Sequence, residues 1–111
     1  MNLLEYLKTT VKTMDAGPKK IQVNRPLLVC VDGTTLSVQA SCGHYCHPRL
    51  DGVRNYFSVE VACLSAKPSM DWNKFAERED LFLRDWKQEL FCHIPVRLVE
   101  AYINEHGGIY V

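Results

Sequence analysis

The sequence lacks the features that would point directly to a membrane, a nucleic acid or a familiar catalytic centre. No uncharged stretch approaches the ~20 consecutive apolar residues that a membrane-spanning helix needs. Thirteen basic side chains balance thirteen acidic ones, so there is no excess positive charge to attract nucleic acid. A glycine-rich phosphate loop, an HExxH run and a paired-carboxylate motif are all missing. These absences exclude the function classes that short motifs reveal most readily.

The composition is that of an ordinary globular protein, because 47% of the 111 residues are hydrophobic and 23% are charged. This length predicts a single domain over residues 1–111. The five cysteines are an odd number, and the first residues lack the basic segment and continuous apolar run of a secretory signal peptide. We therefore expect free thiols in a reducing cytoplasm rather than an extracellular disulfide scaffold.

The first predicted element is an amphipathic helix over residues 2–15. Asn2 and Glu5 have the spacing of a capping box, and the glycine–proline pair at 17–18 ends the helix. Residues 19–25 are interpreted as a basic connector or an edge strand. The helix is expected to face the core with the apolar residues that recur at helical spacing: Leu3, Leu4, Leu7, Val11 and Met14.

The clearest local pattern is a β-hairpin over residues 27–40. The Asp-Gly pair at 32–33 lies between two β-rich runs and predicts a two-residue type I′ turn, which pairs Val29 with Leu36. This register gives the sheet one apolar face, formed by Leu27, Val29, Val31, Leu36 and Val38. A further strand over residues 55–64 is predicted to turn four residues to one side: Phe57, Val59, Val61 and Cys63.

The C-terminal half is predicted to contain two helices and a short strand. Asp71 is the N-cap of a helix over residues 71–87, which carries large apolar residues at roughly helical spacing: Trp72, Phe75, Phe82, Leu83 and Trp86. Residues 90–93 add a strand, and Pro95 at the first helical position starts a helix that buries Val96, Val99 and Ile103. The predicted fold is α+β: a small antiparallel sheet of three or four strands packed against N- and C-terminal helices.

The long loop over residues 41–54 is the first candidate site, because loops longer than a turn requires are often functional. It concentrates four potential metal ligands within six residues: Cys42, His44, Cys46 and His47. Zinc favours such nitrogen and sulfur ligands, and Cys92 with His93 would supply a remote pair. The spacing nevertheless fits no standard zinc pattern, so we predict no bound metal and no other cofactor.

The same loop presents a candidate thiol nucleophile. Cys46 has His44 and His47 as neighbours, and an adjacent imidazolium lowers the pKa of a thiol. A thiol enzyme also needs an oxyanion hole and a residue that orients the base, and neither is evident in the sequence. We therefore expect no enzymatic activity. Cys30 and Cys63 lie within predicted strands and are expected to pack in the core.

Arginine and tyrosine side chains in the loop suggest recognition of a protein, because both residue types are enriched at interface hot spots. The predicted partner-binding residues are His44, Tyr45, Arg49 and Arg54, with Tyr56 beside them. The alternative interpretation is that they are ordinary surface residues that contact only their own loop. Basic and aromatic residues alternate over residues 71–87, but acidic residues cancel their charge and no direct contact with nucleic acid is expected.

Several runs of the sequence resemble a family of small proteins encoded by phages and prophages. The runs are LVCVDG at 28–33, LSVQAS at 36–41, YCHPR at 45–49, IPV at 94–96 and EHGGI at 105–109. The resemblance covers roughly residues 25–64 and 91–110, a little over half of the chain. The family has no established activity, so the resemblance implies an origin in mobile elements rather than a mechanism.

Small phage proteins commonly act by binding, and many counter host defences; anti-CRISPR proteins are the best-known class. The resemblance therefore implies a non-enzymatic, phage-derived binding protein that inhibits a host defence effector, such as a CRISPR effector complex, by protein–protein contact. Its expected location is the cytoplasm of the bacterial host. The alternative is a small zinc- or ligand-binding domain, for example a sponge for a signalling nucleotide, and a thiol enzyme is the third hypothesis.

Overall fold

The computed structural model describes residues 1–77 and 86–111 of the chain. These residues form an α+β fold with a two-stranded and a four-stranded antiparallel sheet, as the sequence predicted for the fold class. The helices in the described residues are too short and too polar to cross a membrane. The elements in chain order are α1 (Leu3–Thr9), β1 (Lys12–Ala16), β2 (Lys19–Val23), β3 (Leu28–Val29), β4 (Thr35–Gln39), β5 (Ser58–Ala62), β6 (Phe91–Pro95) and α2 (Val96–Glu105).

The N-terminal helix is shorter than the sequence predicted. Asn2 Oδ1 accepts a hydrogen bond from the Glu5 N–H at 2.8 Å, so the N-cap is confirmed. The prediction that the helix continues to residue 15 is wrong, because Thr10 closes the last turn on the carbonyl of Tyr6 through its N–H and its hydroxyl. Beyond this point the apolar residues have no core to face, and the chain forms a strand instead.

Strands β1 and β2 form a hairpin that pairs chiefly with itself. Every residue over 11–21 is exposed, including the cross-strand neighbours Met14 and Ile21. The edge-strand interpretation of residues 19–25 is therefore confirmed for β2, whereas Val11 and Met14 do not reach the core.

The main sheet has the strand order β3-β4-β5-β6. The predicted register between β3 and β4 is wrong by one residue, because Leu28 pairs with Leu36. The turn has three residues rather than two: Cys30 donates to the Thr34 carbonyl at 2.7 Å, and Gly33 donates to the Cys30 carbonyl at 2.9 Å. Only Gly33 takes a positive φ, of 93°, as the last position of a type I turn with a bulge requires.

This one-residue shift exchanges the two faces of β3 and its flanks. Leu28 and Cys30 are fully buried, while the side chains predicted to face the core are exposed: Leu27, Val29 and Val31. The prediction that Cys30 packs in the core is confirmed. In β4 the predicted alternation of buried and exposed residues is also correct, because Leu36 and Val38 are buried.

Strand β5 is shorter than the predicted strand over residues 55–64. Val59 and Val61 are completely buried between β4 and β6, as predicted. The two outer members of the predicted apolar face are not buried: Phe57 is 70% exposed, and Cys63 is exposed with a φ of 57°. The prediction that Cys63 is a core residue is therefore wrong, because the regular pleat ends before it.

The C-terminal part of the sheet confirms the strand predicted near residues 90–93, which is β6. Helix α2 follows directly, and Pro95 is its N-cap rather than its first residue. Val99 and Ile103 are buried as predicted, while Val96 is only half-buried.

The predicted helix over residues 71–87 is not continuous. In the part of this segment that the structure describes, Met70–Phe75 and Trp86–Gln88 are short 3-10 helices, and a bridge between Ala76 and Phe91 follows the first. Ser69, not Asp71, is the N-cap of the first, and its side chain accepts no capping hydrogen bond. Trp72 is buried and meets the ring of Phe91 edge-on, with centroids 5.2 Å apart. The predicted apolar positions Phe82 and Leu83 lie outside the described residues.

Candidate functional site

A buried arginine, Arg25, anchors the beginning of the loop over residues 41–54. Arg25 is 4% exposed, and its guanidinium donates to the carbonyls of Leu7 and Ala40 at distances of 2.7 to 3.1 Å. The side chain of Gln39 exchanges two hydrogen bonds with the main chain of Arg25. Arg25 therefore fastens the beginning of the loop to the end of helix α1, a role that the interpretation of residues 19–25 as a connector or edge strand did not suggest.

His44 is held inside the loop by two partners. Ser41 Oγ lies 2.6 Å from His44 Nδ1, and His44 Nε2 lies 2.7 Å from Asn24 Oδ1. Because Asn24 Oδ1 can only accept, Nε2 carries the proton, and Nδ1 accepts from the hydroxyl of Ser41. Burial lowers the pKa of His44, which favours this neutral form. Both ring nitrogens of His44 are thus hydrogen-bonded within the chain, and its partner-binding role stays a prediction.

Cys46 lies beneath the loop and is only 1% exposed. Its thiol is 3.3 Å from the Ser41 carbonyl and 3.4 Å from the Pro48 carbonyl. Burial raises the pKa of the Cys46 thiol. A catalytic thiol requires the opposite shift together with access for a substrate. The geometry of Cys46 is that of a packed thiol that satisfies its S–H within the loop.

The potential metal ligands of the loop do not converge. Within residues 1–77 and 86–111, no three His, Cys, Asp or Glu side chains are grouped so that they could hold a metal ion. Asp51 accepts a hydrogen bond from the Cys42 N–H at 2.9 Å and also raises the pKa of the Cys42 thiol. The remote Cys92 has a thiol pKa raised to about 11, first by burial and then by nearby glutamates.

An exposed group of rings forms on the outer side of the same loop, and we call it the aromatic patch: Tyr45, His47, Phe57 and His93. The Arg49 guanidinium lies 5.0 Å above the centre of the Tyr45 ring. The Tyr45 and His93 rings are 6.1 Å apart, and those of His47 and Phe57 are 5.9 Å apart. Phe57 is 70% exposed and Tyr45 is 39% exposed, so the patch presents a large aromatic area to solvent.

Main-chain hydrogen bonds hold the aromatic patch in place. The Phe57 N–H donates to the His47 carbonyl at 2.8 Å, and the His93 N–H donates to the Tyr45 carbonyl at 2.9 Å. Glu60 accepts from the Tyr45 N–H at 2.8 Å. Arg49 is fixed as well, because its Nε donates to the Cys42 carbonyl at 3.2 Å. The patch is therefore a surface with defined geometry rather than a set of independent side chains.

The predicted partner-binding residues separate into three places. Tyr45 and Arg49 stack together on the aromatic patch, and His44 is tied into the loop interior. Arg54 lies instead beside a cavity that Lys8 and Leu4 also line. Phe57 was missed as a surface residue because its place in the alternating pattern predicted burial, and no signal in the sequence marks the end of that alternation.

Comparison with known proteins supplies no relative from which a function could be transferred. No protein-family model, no curated protein and no solved structure matches this chain. The exposed aromatic patch and the internal hydrogen bonds of Cys46 and His44 are therefore the observations from which a function is inferred.

Proposed function

We propose that the protein binds another protein through the aromatic patch and Arg49, and that this contact, rather than a reaction, inhibits a host defence effector. The observation that carries the proposal is the contrast within one loop. Its reactive groups, Cys46 and His44, are bonded internally, whereas Tyr45 and Arg49, with Phe57 just after the loop, are presented to solvent on a fixed backbone. This is the arrangement of a recognition surface.

The energetics support a protein partner. Burying an exposed phenylalanine side chain contributes roughly 1.5–3 kcal/mol. Tyrosine and arginine are the residue types that most often dominate interface energies, and the stacked pair Tyr45 and Arg49 supplies both. Because hydrogen bonds already fix the backbone beneath Phe57 and His93, little additional ordering opposes association.

The class of partner follows from the resemblance of the sequence to small phage and prophage proteins. Such proteins act in the cytoplasm of a bacterial host, where defence effectors are their frequent targets. The balanced charge of the chain gives a nucleic-acid component of such an effector no net positive field to bind. We therefore propose that the contact is with a protein subunit, and CRISPR effector complexes are the first candidates.

A plaque assay tests this proposal. Bacteria that express the chain and carry CRISPR immunity against a phage are infected with that phage, for several effector types in turn. The wild-type chain is expected to restore plaques for at least one type. The pair Phe57→Ala and Arg49→Ala is expected to lose this effect.

A matched pair serves as the control for the assay. Tyr110 is 68% exposed, close to the value for Phe57, and Arg97 is an exposed arginine on α2. Tyr110→Ala with Arg97→Ala should restore plaques like the wild type. Failure of the wild-type chain with every effector would contradict the proposed target, and equal activity of both variant pairs would contradict the proposed surface.

A further inference from the structure

A small cavity lies between helix α1, Arg25 and the end of the loop over residues 41–54. Its volume is about 140 Å³. Three cationic residues line it, Lys8, Arg25 and Arg54, and no carboxylate is among the described residues that form its wall. The remaining lining is Leu4, Leu7, Val11, Gly52, Val53 and Tyr56. The cavity therefore combines concentrated positive charge with apolar sides.

Arg25 is the buried member of this group, and among the described residues no carboxylate pairs with its charge. Three of its five N–H donors bond to main-chain carbonyls, which are neutral. Its guanidinium is also hydrogen-bonded to the side chain of Tyr56, which is a neutral phenol at pH 7. Burial lowers the pKa of Arg25, which means that its charged form is disfavoured at this position. An anion in the cavity would offset that penalty, and the exposed Lys8 and Arg54 would complete its neutralisation.

The volume limits the size of the anion. At about 140 Å³ it is roughly half the 300 Å³ at which pockets that enclose a drug-sized ligand begin, so only a small part of a ligand is enclosed. A phosphate group with a few apolar atoms does fit, and arginine and lysine together are the preferred partners of a phosphate dianion.

We propose that this cavity binds the phosphate group of a small phosphate monoester, with Lys8, Arg25 and Arg54 around the dianion and Leu4, Val11 and Val53 against the adjoining apolar part. The site is separate from the aromatic patch, because none of the patch residues lines the cavity. Failure of the proposed partner contact would therefore leave this inference standing.

Calorimetric titration of the full chain with phenyl phosphate, inorganic phosphate and acetate tests the proposal at constant ionic strength. Saturable binding is expected for the phosphates and not for acetate, because a monoanion neutralises less of the charge. Tighter binding of phenyl phosphate than of inorganic phosphate supports an organic monoester as the ligand, and equal binding supports free phosphate. Absence of saturable binding for both phosphates would overturn the proposal.

Variants locate the binding site without disturbing the buried arginine. Lys8→Gln with Arg54→Gln is expected to weaken phosphate binding at least about tenfold, because two charge-assisted contacts are lost. The control Lys19→Gln with Arg97→Gln removes the same charge from exposed positions outside the cavity and should leave the Kd within about twofold. In nuclear magnetic resonance titrations, the amides of Gly52 and Val53 should shift with phosphate. Equal weakening by the two variants, or shifts elsewhere in the protein only, would show that phosphate binds through overall charge and not in this cavity.

Discussion

At the scale of single residues, Asp32 connects two distant parts of the chain. Its Oδ1 accepts from the Thr34 N–H at 2.8 Å, and its Oδ2 lies 2.6 Å from His106 Nδ1, beyond the end of helix α2. The hydrogen bonds from Thr34 and then His106 lower the pKa of the Asp32 carboxyl from 3.8 to about 2. The ionised carboxylate thus holds the β3–β4 turn against the C-terminal helix.

This pKa shift predicts a pH dependence of stability. A carboxyl whose pKa is lower in the folded state stabilises the protein above the unfolded value of 3.8, and this contribution disappears as the pH falls toward 2. Asp32→Asn should therefore lower Tm at neutral pH, and the difference from wild type should shrink between about pH 4 and pH 2. Thermal melts across this range measure it. A difference that stays constant with pH would contradict the role given to Asp32.

The contacts of the cysteine and histidine side chains in the loop lead to a prediction of the metal content of the purified protein. Cys42 is paired with Asp51, His44 with Ser41 and Asn24, and Cys46 with main-chain carbonyls. A zinc ion would have to break these contacts to gather four ligands. Elemental analysis under reducing conditions should therefore find no stoichiometric zinc. One zinc per chain, lost together with the fold on chelation, would make Cys42, His44, Cys46 and His47 ligands instead.

At the scale of elements, periodicity predicted the interior of the main sheet but not its ends. Leu36, Val38, Val59 and Val61 are buried as their alternation indicates, because strands with one covered face require it. The turn at Gly33 was predicted with two residues and has three. An Asp-Gly pair is compatible with either loop length, so contacts between the turn and other parts of the chain decide which one forms. The hydrogen bond from the Val31 N–H to the Gly108 carbonyl is such a contact, and it is long-range.

The same docking predicts a difference between two glycine substitutions. Gly33 and Gly107 have nearly equal φ values of 93° and 92°, so alanine is strained at both by roughly 1–2 kcal/mol. A Cβ at Gly107 would also lie 2.9 Å from Val31 Cβ, whereas a Cβ at Gly33 meets nothing within 4 Å. Denaturant unfolding should show a larger loss of stability for Gly107→Ala than for Gly33→Ala. Equal losses would contradict the close packing of the α2 terminus on the turn.

The N-terminal region shows why local sequence patterns alone do not predict whether a segment forms a helix or a strand. The apolar residues Leu3, Leu7 and Val11 follow a helical spacing, yet only the first two are buried. Helix α1 ends at Thr9 because Thr10 bonds back to the Tyr6 carbonyl and because β1 pairs with β2. The hairpin forms through pairing between two segments of the chain, and the periodicity of one segment does not predict such pairing.

At the scale of the whole molecule, stability depends on one core in which Val59 occupies the centre of the sheet. It has no exposed surface and shares its cluster with Val99 and Ile103 of α2. An aspartate there buries a charge without a partner, which costs several kcal/mol of the ~5–15 kcal/mol that stabilise a domain. Val59→Asp is therefore expected to unfold the protein.

Circular dichroism melting checks this prediction against a nearby control. Phe57 precedes Val59 by two residues and is 70% exposed, so Phe57→Asp should keep a cooperative transition. A soluble Val59→Asp protein that melts cooperatively would mean that the centre of the sheet has been assigned incorrectly.

The residues of the candidate surface could be predicted only in part from the sequence. Tyr45 and Arg49 were predicted as recognition residues and do lie together in an exposed stack. His44 was predicted with them, but it is half-buried and bonded to Asn24 and Ser41, which approach its ring only in the folded chain. Phe57 reaches the aromatic patch because β5 begins after it, and the position of that strand end follows from tertiary pairing with His47.

The most direct test of the central claim is the affinity of the chain for the partner protein that we propose, measured by surface plasmon resonance with matched variants. The wild-type chain is used to capture this partner from lysates of bacteria, the proposed host, and mass spectrometry identifies it. Removing an arginine or aromatic anchor of an interface costs about 2 kcal/mol or more, which is roughly thirtyfold in affinity. Arg49→Ala with Phe57→Ala should weaken binding by at least about thirtyfold with an unchanged Tm, while Arg97→Ala with Tyr110→Ala should bind like the wild type. Wild-type affinity of the Arg49 and Phe57 variant would contradict the assignment of the aromatic patch as the binding surface.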